Sequence, residues 1–538
     1  MLRPKGKTLA QVLEEKAASS ATSPAIFFQD MVIDYHELLQ RSERAANSLL
    51  AAGVRGGDRV GVILGNEPDW VVLAMAASML GVTFVPCNTW YKKSELAWML
   101  RHSGVSLLVA ASTYLKTDYA ALFAELIPEL ATSYPGELRS AQFPQLKSVV
   151  FRGPGPQGSL SWDGFLRAGL KTAANELKAS RAAVLPDSPA FVLYTSGSTA
   201  EPKGVLLNHR GVVENGFELG HRRSIVAADR VWLGTPLFYG LGATNALPAT
   251  ITAGAALVLQ AHFEAGSAIA CIRDSGATVY YATGNITRAI LDHPDYSQAK
   301  IGTLQKGNAG TMPEYKRLTL REMRIAGAVP AYGLTETYGN ATVGFPDDPV
   351  EVKIETNGTP LPGMEIRIVD PGDGKPLPAG QTGLVLIKGH ITPGYLHNPG
   401  ETNKALRPDG FFDSGDLGSV DAAGRLIFHS RLKEVIKSGG INISPAEVEQ
   451  LLASHPDVRD AFVVGVSDAT RGELVVAFVD AAAPISEQAL REFVKERAAA
   501  FKVPHHVFFR TEEQLPRLSS GKIAKYRLAE EARSELGR

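Results

Sequence analysis

Phe191-Val-Leu-Tyr-Thr-Ser-Gly-Ser-Thr-Ala-Glu-Pro-Lys-Gly204 is an apolar run that turns into hydroxyls and glycines and ends on a lysine. The first residues predict a strand and the rest a loop suited to phosphate. Gly197 lets backbone N–H groups approach a ligand closely, the hydroxyls of Thr195, Ser196, Ser198 and Thr199 can donate to phosphate oxygens, and Lys203 supplies positive charge. Each charge-assisted hydrogen bond contributes about 1.5–3 kcal/mol, so a few suffice to hold a triphosphate. The spacing is not G-x-x-x-x-G-K-[ST], which points to a nucleotide-binding fold other than that of the P-loop NTPases.

Outward from this loop, short apolar runs alternate with helix-like segments: Arg59 to Leu64, Asp69 to Leu80, Thr83 to Pro86, Lys93 to His102 and Ser106 to Val109, then Ala255 to Leu259, Ala268 to Asp274 and Thr278 to Tyr281. The alternation predicts βαβ units and a largely parallel sheet. After about residue 355 the texture changes to short strands with Gly/Pro/Asp turns, as in Glu365-Ile-Arg-Ile-Val369 and Pro371-Gly-Asp-Gly374. The last hundred residues return to mixed α/β, with Pro445 to His455 and Ser486 to Ala500 helix-like and Asp460 to Val466 strand-like. The fold class expected is α/β in a multidomain α+β chain: two βα layered subdomains, a β-rich subdomain at about 355–430 and a small C-terminal α+β domain.

A chain of 538 residues exceeds one ordinary core. Lys+Arg number 55 against 56 Asp+Glu, with no basic stripe, which argues against a nucleic-acid partner. Cys87 and Cys271 stand far apart and outside any C-x-x-C pattern, as expected of buried thiols in a reducing compartment, and the cytoplasm is the expected location. Neither a signal peptide nor an apolar run of the roughly 20 residues that a membrane span needs is evident.

Further motifs follow the glycine-rich loop: Tyr332-Gly-Leu-Thr-Glu336, Ser414-Gly-Asp416, Arg431 to Glu447 and Pro516-Arg-Leu-Ser-Ser-Gly-Lys-Ile523. With Tyr194 to Gly204, these five in order resemble the motifs of the adenylate-forming superfamily of acyl-CoA synthetases, luciferases and nonribosomal-peptide adenylation domains. The resemblance implies an ATP-dependent acid:CoA ligase that uses ATP, Mg²⁺ and CoA on a small carboxylic acid. It also implies an N-terminal domain at 1–430, a hinge at 431–433 with Lys433 at its pivot, and a mobile cap domain at 434–538. A homodimer is compatible with it.

The chemical problem is to make a carboxylate oxygen a leaving group without losing the product to water. Attack on the α-phosphate builds charge that fixed cations and a divalent metal stabilise. Glu336 is the best metal ligand, since Mg²⁺ favours carboxylate and phosphate oxygens, and the resemblance adds Thr199. By the resemblance, Thr335 bonds the α-phosphate, Tyr332 stacks on adenine, and Asn308 and Ala309 complete the nucleotide site. Asp416 offers two acceptors for a ribose diol beside the tight Gly415 turn, and Arg431 reaches the same sugar or phosphate. Ser430 stands where the family has glycine. Lys522, a compact charge on a long stem, is placed to bridge the substrate carboxylate and the α-phosphate, although Leu518-Ser519 departs from the family's polar pattern. Lys437-Ser-Gly-Gly-Ile-Asn-Ile-Ser-Pro445 resembles the thiol-tunnel loop, in which Ser438, Gly439 and Gly440 let pantetheine run against bare backbone.

Val231 to Ala261 contains no Asp, Glu, Lys or Arg, and within it Pro236-Leu-Phe-Tyr-Gly-Leu-Gly242 falls at the family's acyl-pocket wall. Tyr239 replaces a histidine common there. No aspartate is present to pair an α-ammonium group, so an α-amino acid is disfavoured. Tyr239, Gly240, Gly333, Thr337, Tyr338 and Gly339 are the expected substrate residues, for an aromatic, alicyclic or medium-length acyl group. Asn88 to Leu96 looks most like ligases for such acids. The rival reading keeps adenylation but transfers the acyl group to a carrier protein or another acceptor.

Overall fold

The computed structural model describes residues 3–172, 174–195, 202–438, 441–468, 471–498, 500–517 and 522–537. The chain divides into two compact units, one of Met1–Ile366 with Ile387–Phe412, the other of Arg367–Leu386 with Asp413–Arg538. The β-rich strands after about 412 therefore group with the C-terminal residues, and the division falls at 412/413 where the sequence led us to expect 430/431.

The larger unit holds two large sheets. One has seven strands in the order Lys203–Asn208, Pro189–Thr195, Thr83–Pro86, Arg59–Ile63, Leu107–Ala111, Ser148–Arg152 and Leu160–Ser161, parallel except for the first pair. The other has nine strands, with a parallel centre formed by Gly327–Tyr332, Lys306–Gly310, Val279–Tyr281, Arg230–Leu233, Ala256–Leu259 and Pro24–Phe28. The expected βαβ units are present: the helices Pro68–Leu80 and Lys93–Ser103 fall between the strands that the sequence alternation marked out.

Helix Pro68–Leu80 shows why. Proline opens it at a position where a missing N–H costs nothing, and Gly81 closes it at φ +66°, a left-handed cap that favours glycine. Nearly all of its residues are buried, so it carries apolar side chains all round. Its Trp70 packs edge-on against Phe84, and Phe84 in turn against Phe191, at 4.9 and 5.8 Å between ring centres. Phe191 is also paired with Phe84 in register. The strand that leads into the phosphate loop is thus fixed to the core at its base. Burial of each large apolar side chain contributes about 1.5–3 kcal/mol.

In the smaller unit a four-stranded sheet runs Glu365–Val369, Gly383–Lys388, Phe412–Val420, Leu426–Arg431. A second sheet is built on the hairpin Val458–Asp468 and Gly472–Ala481, with Ile436–Ser438, Ile441–Ile443 and the parallel strand His506–Phe509. Helices Pro445–Ala453, Glu487–Arg497 and Lys525–Glu535 complete the unit. Among the described residues, no helix is long and apolar enough to cross a membrane.

Candidate active site

The phosphate stretch is the mouth of a hairpin. Pro189–Thr195 pairs antiparallel with Lys203–Asn208, and the last pairs set Tyr194 opposite Gly204 and Thr195 opposite Lys203. Backbone pairing alone brings the loop's first hydroxyl and its lysine face to face. Ser196, Gly197, Ser198 and Thr199 lie outside the described residues. Lys203 forms an ion pair with Glu401, and its Nζ sits 5.0 Å over the Tyr395 ring. Lys404 also donates to Glu401 (2.8 Å), and the bonds from these two lysines hold the Glu401 carboxyl down at about 2.

Glu401 therefore pairs the charge that the resemblance assigns to a nucleotide phosphate. Glu401→Gln is expected to lower the KM for ATP about two- to five-fold with kcat little changed, the scale of a partly exposed ion pair. A KM that stays or rises would mean that Glu401 positions Lys203.

Glu336 lies in the short turn Thr335–Thr337 that follows strand Gly327–Tyr332. It is 9 % exposed, and its Oε1 accepts a hydrogen bond from the Tyr395 hydroxyl (2.9 Å). Its backbone oxygen accepts from Thr392 N–H (2.7 Å). The same segment lies along the lysine strand: Leu206 N–H donates to Gly394 O (3.0 Å) and Leu396 N–H to Gly204 O (2.8 Å). Residues 392–396 thus tie the strand of Lys203 to the carboxylate of Glu336. No group of three His, Cys, Asp or Glu that could hold a metal stands among the described residues. One carboxylate with an oxygen left over beyond its tyrosine bond is nonetheless the sparse set that Mg²⁺ accepts when phosphates and waters supply the rest, so Glu336 fits that ion.

The acyl side adjoins this turn. A Cβ added at Gly240 would lie 3.6 Å from Thr335 Oγ1, which brings the expected pocket wall to the expected α-phosphate ligand. Tyr239 accepts a hydrogen bond from Asn88 Nδ2 (3.2 Å) and packs against Phe238 and Trp90 at 4.6 and 6.0 Å. The charge-free run 231–261 is largely core, with intermediate exposure at Pro236, Tyr239, Gly240, Leu241, Gln260 and Ala261. Gly333 must be bare, because a Cβ there would come within 2.5 Å of Asn340 Cα. Gly339, at φ +98°, continues the turn.

Several expected side chains face elsewhere. Tyr338 does not line the acyl pocket with its ring: it is 1 % exposed in the main core, its hydroxyl accepts from Asn208 N–H (3.2 Å), and its ring fills the space over Gly211. The Thr337 hydroxyl accepts from Leu334 N–H (3.0 Å), so it shapes the turn and is not left for substrate. Asn308 has both ends of its amide engaged, accepting from Arg223 Nη2 (3.2 Å) and donating to Ala282 O (3.2 Å). Tyr332 and Ala309 are buried at the ends of adjacent strands.

In the smaller unit Asp416 and Arg431 are opposed in register on neighbouring strands, with Arg431 Nε 3.4 Å from Asp416 Oδ1. Gly415 has φ +67° but lies within strand Phe412–Val420, where a turn was expected, and Asp416 N–H donates to Ser414 Oγ (3.0 Å), which donates to Val385 O (2.6 Å). Ser430, at the family's glycine position, sits as an ordinary buried strand residue opposite Leu417. Lys433 falls in the turn Leu432–Glu434, and Lys437 and Ser438 in the strand Ile436–Ser438; Gly439 and Gly440 lie outside the described residues.

Lys522 is exposed by surface area. Crowding by protein atoms, ahead of the Arg431 guanidinium, holds its ammonium below the usual lysine range, while the Asp416 and Glu434 carboxylates pull the other way. In a side chain open to water the crowding is softened by solvent, and the repulsion from Arg431 is the cause that a substitution can reach. Three residues on, Lys525 pairs with Glu449 (2.7 Å) and Glu434 (3.7 Å), which fixes the start of the last helix beside the turn that carries Lys433.

The chain is similar to known proteins along most of its length. The AMP-binding enzyme family matches residues 13–396, and the AMP-binding enzyme C-terminal domain matches residues 447–522. The putative acyl-CoA synthetase YngI of Bacillus subtilis (strain 168) is 30% identical over 532 residues, covering 97% of this chain and 96% of that protein. The mitochondrial medium-chain acyl-CoA ligase ACSF2 of Homo sapiens is 30% identical over 545 residues, covering 98% and 88%. Among solved structures, ATP-bound MatB from Rhodopseudomonas palustris superposes with a TM-score of 0.83 at 26% identity, covering 98% of this chain and 100% of that one. Family matches across both units, together with the tie from the strand of Lys203 to Glu336 through residues 392–396, lead to one assignment: the chain belongs to the AMP-binding enzyme family, the adenylate-forming ligases.

Proposed function

We propose that this protein is an ATP-dependent acid–thiol ligase, an AMP-forming acyl-CoA synthetase. It activates a carboxylic acid as acyl-AMP with release of pyrophosphate, then passes the acyl group to CoA with release of AMP. The observation that carries this reading is the fixed relation of Lys203 and Glu336, set through residues 392–396, with Thr335 of the same turn beside the acyl wall at Gly240.

In this reading Thr195 and Lys203 hold the outer phosphates and Thr335 orients the α-phosphate. Asp416 accepts the ribose hydroxyls, with Arg431 beside it. Lys522 stabilises charge at the α-phosphate while the acid attacks, and Glu336 holds Mg²⁺, which neutralises triphosphate charge. Rotation at 431–433 then withdraws Lys522 and presents the loop at Lys437–Gly440 to pantetheine, so one site serves a step that excludes water and a step that admits a long thiol. The acyl group next to the reacting carboxyl is apolar, of medium-chain, alicyclic or aromatic type, as the aromatic group of Trp90, Phe238 and Tyr239 supports. The free thiols of Cys87 and Cys271 support a cytoplasmic site of action.

The test is a panel of benzoate, cyclohexane carboxylate, hexanoate, octanoate and cinnamate with ATP and CoA, read as AMP release and as thioester mass. At least one acid is expected to give both. Acid-dependent AMP formation with no CoA thioester would move the acceptor to a carrier protein, and no acid-dependent pyrophosphate from any member or from a dicarboxylic counterpart would sink the ligase reading.

A further inference from the structure

Arg223 follows the last residue of helix His209–Arg222 and is fully buried, at 0 % exposure. A guanidinium withdrawn from water costs several kcal/mol unless it is paired, yet among the described residues no carboxylate pairs with it. Its hydrogen bonds go to two neutral amides: Nη1 donates to Asn245 Oδ1 (3.0 Å) and Nη2 to Asn308 Oδ1 (3.2 Å), and the group lies 4.5 Å over the Tyr281 ring. Its buried Nε meets no acceptor.

Asn245 repeats the imbalance. Its carbonyl is turned to Arg223, and its Nδ2, also buried without an acceptor, lies 3.0 Å from where a Cβ of Gly339 would stand. The cluster therefore holds a positive charge and more donors than acceptors: against Arg223 Nε and Asn245 Nδ2 stands the Tyr281 hydroxyl, also buried without a partner, and ligand oxygens would complete the set. Its position is equally specific. Asn245 belongs to the π-helical segment Leu241–Ala246, a geometry frequent at functional sites, directly after Gly240 beside Thr335.

We propose that Arg223 and Asn245 recognise a carboxylate at the end of the acyl substrate remote from the reacting carboxyl. The acid is then apolar where it is activated and anionic at its far end. This inference rests on the ligase reading and deepens it. An acid without the remote oxygens leaves buried donors unpaired, which is how a polar site rejects an apolar analogue.

The test compares matched pairs on the full chain with ATP and CoA: octanoate against octanedioate, hexanoate against hexanedioate, and benzoate against 1,4-benzenedicarboxylate. For at least one pair the diacid is expected to have the higher kcat/KM by about tenfold or more, the scale of a charged hydrogen bond. Asn245→Asp supplies the missing counter-ion from the protein itself. It is expected to lower the diacid-to-monoacid ratio about 10- to 100-fold while monoacid turnover and melting temperature are kept. Arg223→Met should lower the same ratio, and the aspartate variant guards against a methionine variant that fails to fold. A wild-type preference for the monoacid in every pair, or a ratio that Asn245→Asp leaves unmoved, overturns the inference while the ligase reading stands. If no acid in either set releases pyrophosphate, both fall.

Discussion

Lys522→Ala is expected to lower acyl-AMP formation by about 10²–10³-fold, measured as acid-dependent pyrophosphate release, while thioester formation from supplied acyl-AMP and CoA keeps most of its rate. The magnitude is that of removing one fixed charge-stabilising donor from a transition state. The separation of half-reactions follows from the proposed rotation, in which this lysine serves the first step alone. Lys522 is exposed, so its loss should leave stability within about 0.5 kcal/mol, and a folding defect would not imitate the result. Its pH dependence has a definite sign. The ammonium is held below the usual lysine range, so adenylation should fall on the alkaline side at a lower pH than an ordinary lysine would give. Arg431→Gln removes one cause of that shift and should move the alkaline limb upward. Equal loss of both half-reactions in Lys522→Ala would count against the two-step assignment.

Glu336→Ala is expected to raise the Mg²⁺ concentration for half-maximal pyrophosphate release by at least about 10- to 100-fold, the range found when even the outer partners of a metal ligand are lost. The side chain is nearly buried and held by Tyr395, so its geometry is set before any ion arrives. Glu336→Gln keeps an acceptor for the tyrosine but removes the charge, and it should share most of the defect. Tyr395→Phe leaves the charge and loosens the side chain, and it should show a smaller rise. An unchanged Mg²⁺ requirement in both Glu336 variants would assign the metal to another carboxylate.

What could be read in the chain and what could not divide along physical lines. The parallel sheets were legible because fully buried strands and helices leave continuous apolar runs, as at Arg59–Ile63 and Pro68–Leu80. The nucleotide motifs were legible because each is contiguous. Tyr395 was not singled out, since its bond to Glu336 joins residues 59 apart and nothing local marks it. Glu401 was not singled out either, since its bond with Lys203 joins residues 198 apart. Arg223 is separated from the charge-free run by Asp229 and Arg230, and nothing local marks it as the arginine that the fold buries. The burial of the Tyr338 ring was not legible, because a residue at φ +56° turns the chain and local pattern does not tell on which side of such a turn the ring will fall.

The larger unit is not one stretch of chain. Residues 367–386 belong to the smaller unit, and the chain returns afterwards to add 387–412, which include Thr392, Tyr395 and Glu401. A polypeptide cut at 366 would carry the glycine-rich hairpin and the glutamate but neither of the groups that hold them in place. On the ribosome, too, the larger unit stays unfinished until part of its neighbour has been synthesised.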